Sequence, residues 1–123
     1  MKPKLGNIAR LEHIIDSIEK IEITMQGISL DEFIENWEKR LLVERLLEII
    51  GEASKHISDE ILYDEENSTP WKKIISTRNF LSHEYFRIDY DLVYKIVTID
   101  IIPLKKEILR IKTKLENSQN ENI

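Results

Sequence analysis

Apolar residues recur along the chain every three or four positions, the spacing that places side chains on one face of an α-helix. The first series predicts a helix over residues 5–25, and its apolar positions are Ile8, Leu11, Ile15 and Ile18. Gly27 should end this helix, because glycine is favoured just after a helix C-terminus. The chain therefore begins with an amphipathic helix.

The second predicted helix has the clearest start signal in the sequence. Ser29 and Glu32 have the spacing of a capping box, and Ile28 and Phe33 have that of a hydrophobic staple, so the helix should begin at Leu30. It should continue to about residue 57, with a buried stripe of Leu42, Leu46, Ile49, Ile50, Ala53 and Ile57.

Further apolar residues widen this stripe beyond one face, at Leu41, Val43 and Leu47. Such a helix is expected at the centre of a bundle, or between the core and a second subunit. Gly51, near its middle, indicates either a close approach by another helix or a tolerated glycine.

Two more helices are predicted in the second half of the chain. Thr69 and Pro70 suit the N-cap and first position of a helix over residues 70–82. Asp89 and Asp91 suit the start of the next helix, whose predicted buried face is Leu92, Val93, Ile96, Val97 and Ile99. Pro103 should kink that last helix.

These elements make an all-α fold, an antiparallel bundle of four main helices. Residues 1–116 are predicted to form a single domain, and the polar residues 117–123 a frayed tail. The 123 residues include no cysteine and three scattered histidines, so neither a disulfide nor a metal site is expected. No apolar stretch approaches the roughly 20 residues of a membrane span, and a cytoplasmic protein is expected.

Charge is distributed unevenly along the chain. The net charge of −5 argues against nucleic acid as a partner for the chain as a whole. Residues 71–88, however, carry four basic side chains and one acidic one. This locally basic segment contains the sequence RNFLSHEY at residues 78–85.

RNFLSHEY places an arginine, an asparagine, a histidine and a tyrosine close together in a stretch that otherwise looks like core. On an ideal helix, at about 100° per residue, Arg78 and His83 are about 140° apart. Either the helix loosens before His83, or both side chains line a cleft wide enough to be reached from two sides. A cleft on a two-fold axis would suit the second case, which favours a homodimer with paired motifs.

The residue types suit RNA cleavage by internal transesterification. Histidine can accept the proton of a ribose 2′-hydroxyl, and arginine can stabilise charge that develops on the phosphate. Asn79 could orient the phosphate or the imidazole, and Tyr85 could hydrogen-bond the backbone or stack on a base. Spacing alone does not establish catalysis, because Arg/His pairs on helices are usually surface features and tyrosines are more often core residues.

Three segments together resemble the HepT-like family of HEPN-domain ribonuclease toxins. They are VERLLEIIGEASKHISDE, PWKKIISTRNFLSHEYFRIDYDLVYKIV and DIIPLKKEI, and the resemblance extends from about Leu30 to Leu109. Arg78, His83 and Tyr85 match the family motif R-x4-H-x-Y. Residues 76–77 are Ser-Thr in place of the expected Gly-Met, a departure outside the motif.

The resemblance implies a metal-independent RNA endonuclease that needs no cofactor, the toxin of a type II toxin–antitoxin module. Arg78 and His83 would be the catalytic pair, and Asn79 would assist them. The family acts as a homodimer, alone or within a larger hetero-oligomer, and its partner is a minimal nucleotidyltransferase antitoxin. That partner would neutralise the toxin by transferring AMP to Tyr85.

Glu52 lies in the matched segment and is a candidate partner of Arg78, although an ordinary surface glutamate is an equally good interpretation. Two other functions stay open. The chain could be a non-catalytic docking or substrate-binding partner of a nucleotidyltransferase, which would not need an intact R-x4-H motif. A purely structural bundle is the remaining alternative.

Overall fold

The structure, a computed structural model, describes residues 3–57, 61, 74–77 and 88–121. Its helices are α1 (Pro3–Met25), α2 (Leu30–Glu35), α3 (Trp37–Lys55), α4 (Tyr90–Lys95), a π-helical turn (Ile96–Asp100) and α5 (Ile101–Glu121). Residues 74–77 are also helical, and no strand occurs within the described ranges.

The predicted all-α class is confirmed. The third predicted helix, over residues 70–82, lies outside the described residues except for residues 74–77. The count of four main helices therefore stays a prediction, as does the domain boundary at residue 116. Within the described ranges, no helix is both long and apolar enough to cross a membrane.

Local hydrogen bonds determine where α1 ends and α2 begins, as the sequence predicts. Gly27 has φ +70°, a conformation that glycine adopts without strain. The Ser29 hydroxyl accepts a hydrogen bond from the Glu32 backbone N–H at 3.2 Å, and the Glu32 carboxylate accepts one from the Ser29 N–H at 3.1 Å. These bonds favour the ionised carboxylate and lower the pKa of Glu32.

The single helix predicted from residue 30 to about residue 57 is wrong, because the chain breaks at Asn36. This residue has φ −98° and ψ 92°, outside the helical region, and it caps both neighbouring helices. Its N–H donates to the carbonyl groups at the end of α2. Its side-chain oxygen accepts from the Lys39 N–H at 3.0 Å, which starts α3. An asparagine that can cap a new helix stabilises the break.

The hydrophobic core lies where α1 packs against α3 and α5, while α2 packs against α3 and α4. The Lys39 ammonium group donates to the Thr24 carbonyl at 3.3 Å, so the end of α1 lies beside the start of α3 and the two helices are antiparallel. The most deeply buried side chains of α1 and α3 include Leu11, Ile14, Ile18, Ile21, Val43 and Ile50.

Burial along α3 differs from the predicted stripe. Leu46, Ile50 and Ile57 are buried as predicted, whereas Leu42 is exposed. Val43 and Leu47, predicted to widen the stripe, lie in the core. Gly51 is also buried. The core face is therefore rotated relative to the prediction, because Val43, Leu47 and Ile50 pack into the core and Leu42 does not.

The second half of the bundle contains a change in helical geometry. Asp89 caps α4 as predicted, accepting from the N–H groups of Asp91 and Leu92 at 3.0 and 3.2 Å. The chain then widens into the π-helical turn, where the Ile101 N–H donates to the Ile96 carbonyl five residues before it. A proline ring clashes with the carbonyl four residues earlier in a regular helix. The π-helical turn ends three residues before Pro103, the position predicted to kink the helix.

The predicted buried face of this helix is partly wrong. Val93 and Val97 are buried, and the face continues through Ile101 and Ile108. Leu92 and Ile99 are instead exposed. They lie beside the buried face of the helix, and no helix within the described residues covers them. The C-terminal helix extends to Glu121, and the fraying of the tail stays a prediction.

An aromatic cluster joins α2 to α4. Phe33 is fully buried, and its ring centroid lies 6.2 Å from that of Tyr90 and 5.9 Å from that of Tyr94. Tyr94 donates to the Ile28 carbonyl at 2.6 Å, and Tyr90 donates to the Glu44 carboxylate at 2.9 Å. Burial, and then the hydrogen bond to Glu44, raise the pKa of Tyr90. Phe33 thus connects the N-terminal and C-terminal halves of the bundle.

We expect Phe33→Ala to lower the free energy of unfolding by about 3–5 kcal/mol, since it leaves a cavity beside two rings. Urea unfolding followed by circular dichroism measures the change. Ile23→Ala is the matched control, because the Ile23 side chain is 74% exposed, and its effect should stay within about 0.5 kcal/mol. Equal effects of the two substitutions would contradict this role of Phe33.

Candidate functional site

The four predicted motif residues lie outside the described residues. These are Arg78, Asn79, His83 and Tyr85, and their predicted roles stay predictions. The structure does describe Glu52 and the helical residues 74–77, which directly precede Arg78 in the chain. Residues 74–77 define the position from which the chain enters the motif.

Residues 74–77 pack into the bundle between α3 and the π-helical turn. Ile74 contacts the hydrophobic core. Together with Thr77 it lines an apolar pocket of about 90 Å³, whose other lining residues are Leu47, Ile50, Ile96, Asp100, Ile101 and Leu104. The segment before the motif is therefore packed against two elements that are themselves part of the core.

The π-helical turn forms one wall of this pocket. Asp100, its last residue, accepts hydrogen bonds from the Lys95 ammonium group at 3.3 and 3.4 Å. Turns of this kind are rare and occur often at functional sites. The sequence did not lead to a prediction of this turn. Pro103 was the one residue that could have indicated it.

Glu52 lies in the last two turns of α3. Its carboxylate oxygen is 3.3 Å from the Nε2 of His56, one helical turn further on, and about half of its side chain is exposed. Its predicted partner Arg78 lies outside the described residues, so a contact between the two stays a prediction. A carboxylate beside an imidazole can accept its N–H and orient the ring.

Glu52 and His56 also line a surface groove of about 420 Å³ between α1 and α3. We call this the α1/α3 groove, and its lining residues are Gly6, Ala9, Arg10, His13, Arg45, Ile49, Glu52, Ala53 and His56. Apart from Glu52, none of them was predicted as a site residue. Within the described ranges, no group of three or more histidines and acids is arranged to bind a metal ion.

Comparison with known proteins assigns the chain to a family. The family model described as "Ribonuclease HepT-like" matches residues 14–111. A protein of Methanocaldococcus jannaschii named "Putative RNase MJ1380" is 42% identical over 100 residues, which cover 81% of this chain and 91% of that protein.

Two further relatives carry the family name. The "Probable ribonuclease HepT" of Thermococcus cleftensis is 38% identical over 97 residues, covering 77% of this chain and 86% of the relative. The "tRNA nuclease HepT" of Aphanizomenon flos-aquae is 27% identical over 139 residues, covering 92% of each. No solved structure matches the chain.

Proposed function

The chain belongs to the HepT-like ribonuclease family, and from this membership we propose that it is a toxin that cleaves RNA internally without a metal ion. The family match carries the proposal, because residues 14–111 include the whole R-x4-H-x-Y sequence at residues 78–85. A relative named as a tRNA nuclease supports RNA as the class of substrate.

In the proposed reaction His83 accepts the proton of a ribose 2′-hydroxyl. The 2′-oxygen attacks the adjacent phosphorus, the bond from phosphorus to the 5′-oxygen breaks, and that oxygen takes up a proton. The products are a 2′,3′-cyclic phosphate and a 5′-hydroxyl. Arg78 stabilises the charge on the phosphate oxygens, and Asn79 orients the phosphate or the imidazole.

We place two copies of the motif in a cleft between the subunits of a homodimer. The exposed apolar residues of α3 support this arrangement: Trp37 is 61% and Leu41 57% exposed, and they lie one turn apart. Apolar side chains grouped on a surface often mark a subunit interface. A groove on the dimer axis would also bring together Arg78 and His83 side chains that diverge on one helix.

We expect the purified toxin to cleave RNA in the presence of EDTA, and Arg78→Ala and His83→Ala each to abolish cleavage. Gel analysis of labelled RNA measures the activity, and mapping of the cyclic phosphate identifies the reaction. Arg110→Ala, which removes an exposed arginine from α5, should cleave normally.

Cleavage that survives both motif substitutions would contradict the assignment of the catalytic pair. A wild-type chain that binds a nucleotidyltransferase but cleaves no RNA would favour the docking function instead.

Glu52 is proposed to position Arg78 from α3. We expect Glu52→Gln to lower kcat by about 10-fold to 100-fold, because a misplaced catalytic group can cost that much. KM should rise less than kcat falls, since a positioning residue acts mainly on the transition state. Glu38→Gln, at an exposed position of the same helix, is the control and should leave kcat unchanged. Equal kcat values for the two variants would make Glu52 an ordinary surface residue.

We further propose that a minimal nucleotidyltransferase antitoxin inactivates the toxin by transferring AMP from ATP to Tyr85. The tyrosine oxygen would attack the α-phosphorus of ATP, and pyrophosphate would leave. The attached AMP would place a phosphodiester charge beside Arg78 and a nucleoside in the path of the RNA.

Intact-mass analysis after coexpression with the neighbouring antitoxin should show added AMP units. Tyr85→Phe should lose them, because phenylalanine lacks the accepting oxygen. Tyr90→Phe is the control, since Tyr90 donates to Glu44 within the bundle and should not be modified. Persistence of the added mass in Tyr85→Phe would exclude Tyr85 as the acceptor.

A further inference from the structure

The α1/α3 groove combines small residues with cationic side chains. Gly6, Ala9 and Ala53 have little or no side chain, which leaves space between the two helices. A Cβ atom on Gly6 would lie 2.9 Å from the Nη1 atom of Arg10, so the Arg10 guanidinium packs over the backbone of this glycine. A side chain at residue 6 would therefore make the end of the Arg10 side chain shift.

The groove concentrates groups that bind phosphate oxygens. Arg10 and Arg45 contribute two guanidinium groups, and His13 and His56 contribute two exposed imidazoles. Among the described lining residues Glu52 is the single acid. Guanidinium groups match the geometry of phosphate oxygens, and an imidazole N–H can donate a hydrogen bond to them.

Both arginines are available to a ligand. Arg10 has no ion-pair or hydrogen-bond partner within the part of the chain that the structure describes. Arg45 lies 3.8 Å from the Glu48 carboxylate, and its side chain is 70% exposed. Such an exposed, widely spaced pair contributes little to stability, and a phosphate could replace the carboxylate.

The groove is long enough for more than one phosphate. From Arg45 to His56 the helix rises about 16 Å, at about 1.5 Å per residue. One strand of a nucleic acid duplex rises about 3.4 Å per nucleotide, so several nucleotides fit along this length. Since α1 runs antiparallel beside α3, the cations of both helices follow the same groove.

We propose that the α1/α3 groove binds the phosphodiester backbone of the RNA substrate beyond the nucleotides that are cut. This inference rests on the proposed ribonuclease function, and it assigns Arg10 and Arg45 to substrate binding. Glu52 connects the two sites, because it lines the groove and is the proposed partner of Arg78. A basic groove on a chain of net charge −5 would also direct RNA to one face.

The test compares Arg10→Ala/Arg45→Ala with a control that removes two cations elsewhere, Lys20→Ala/Arg110→Ala. Lys20 and Arg110 form ion pairs with Asp16 and Glu107, and neither residue lines the groove. Two substrates are used, a single-stranded RNA of about 20 nucleotides and a ribodinucleotide with one cleavable bond. The melting temperature of each variant confirms that it is folded.

We expect the groove variant to raise KM for the long RNA by about 10-fold and to lower the slope of log KM against log salt by about 1.4, from two lost phosphate contacts. Its kcat and its cleavage of the dinucleotide should equal those of wild type. Arg10→Lys/Arg45→Lys should keep most of the salt slope, because the charges remain. Equal KM values for the groove variant and the control would overturn the proposal.

A second measurement tests the proposal that the groove binds RNA separately from the proposal that the protein is a ribonuclease. Affinity for 2′-O-methyl RNA, which lacks the attacking hydroxyl, reports on the groove without cleavage. We expect fluorescence anisotropy to show weaker binding by the groove variant than by the control, whether or not the wild type cleaves RNA. Unchanged affinity in that assay would exclude the groove as an RNA site even if cleavage is observed.

Discussion

The burial of one face of α3 is the constraint on which the rest of the structure depends. Val43, Leu46 and Ile50 pack into the core, and the antiparallel α1 covers them with its own apolar face. Ile50 also lines the pocket that receives Ile74, so the core face of α3 supports the segment that leads into the motif. The opposite margin of the helix carries Glu52 and His56. One helix thus connects the core, the motif segment and the groove.

The polar groups lie at the margins of this packing. A close-packed apolar core keeps its helices in a defined geometry. The helices in turn fix the positions of side chains at the edge of the core, which stay accessible to a ligand. Arg10 and Arg45 face the same groove because the contact between α1 and α3 sets the distance between their backbones. Likewise, Asp100 of the π-helical turn lines the same pocket as Thr77, which directly precedes the motif in the chain. The proposed chemistry therefore depends on contacts between helices that are mainly apolar.

Charge acts locally in this protein. The acidic residues make the chain negative as a whole, and many lie in exposed ion pairs that contribute little to stability. Against that background, the α1/α3 groove with Arg10 and Arg45 is a described surface to which an RNA backbone would be attracted. A basic groove on an acidic molecule favours binding at one face over binding at any face.

The sequence by itself determined the features that depend on neighbouring residues. Helical class followed from the spacing of apolar residues. The end of α1 followed from Gly27, and the start of α2 followed from the capping box of Ser29 and Glu32. The start of α4 followed from Asp89. These are hydrogen bonds and backbone preferences within a few residues, so a local pattern is enough to predict them. The resemblance that named Arg78 and His83 is likewise a local motif, and their roles stay predictions.

Tertiary structure alone decided which side chains are buried and which distant residues meet. The apolar spacing continued across Asn36, so the break between α2 and α3 was missed although asparagine is a common helix cap. Leu42 and Ile99 are as apolar as their buried neighbours, and the packing of the other helices leaves them exposed. The groove brings together Arg10 and Arg45, which no local pattern relates. Burial and grooves arise from contacts between segments far apart in the chain, and only the folded packing of α1 against α3 specifies them.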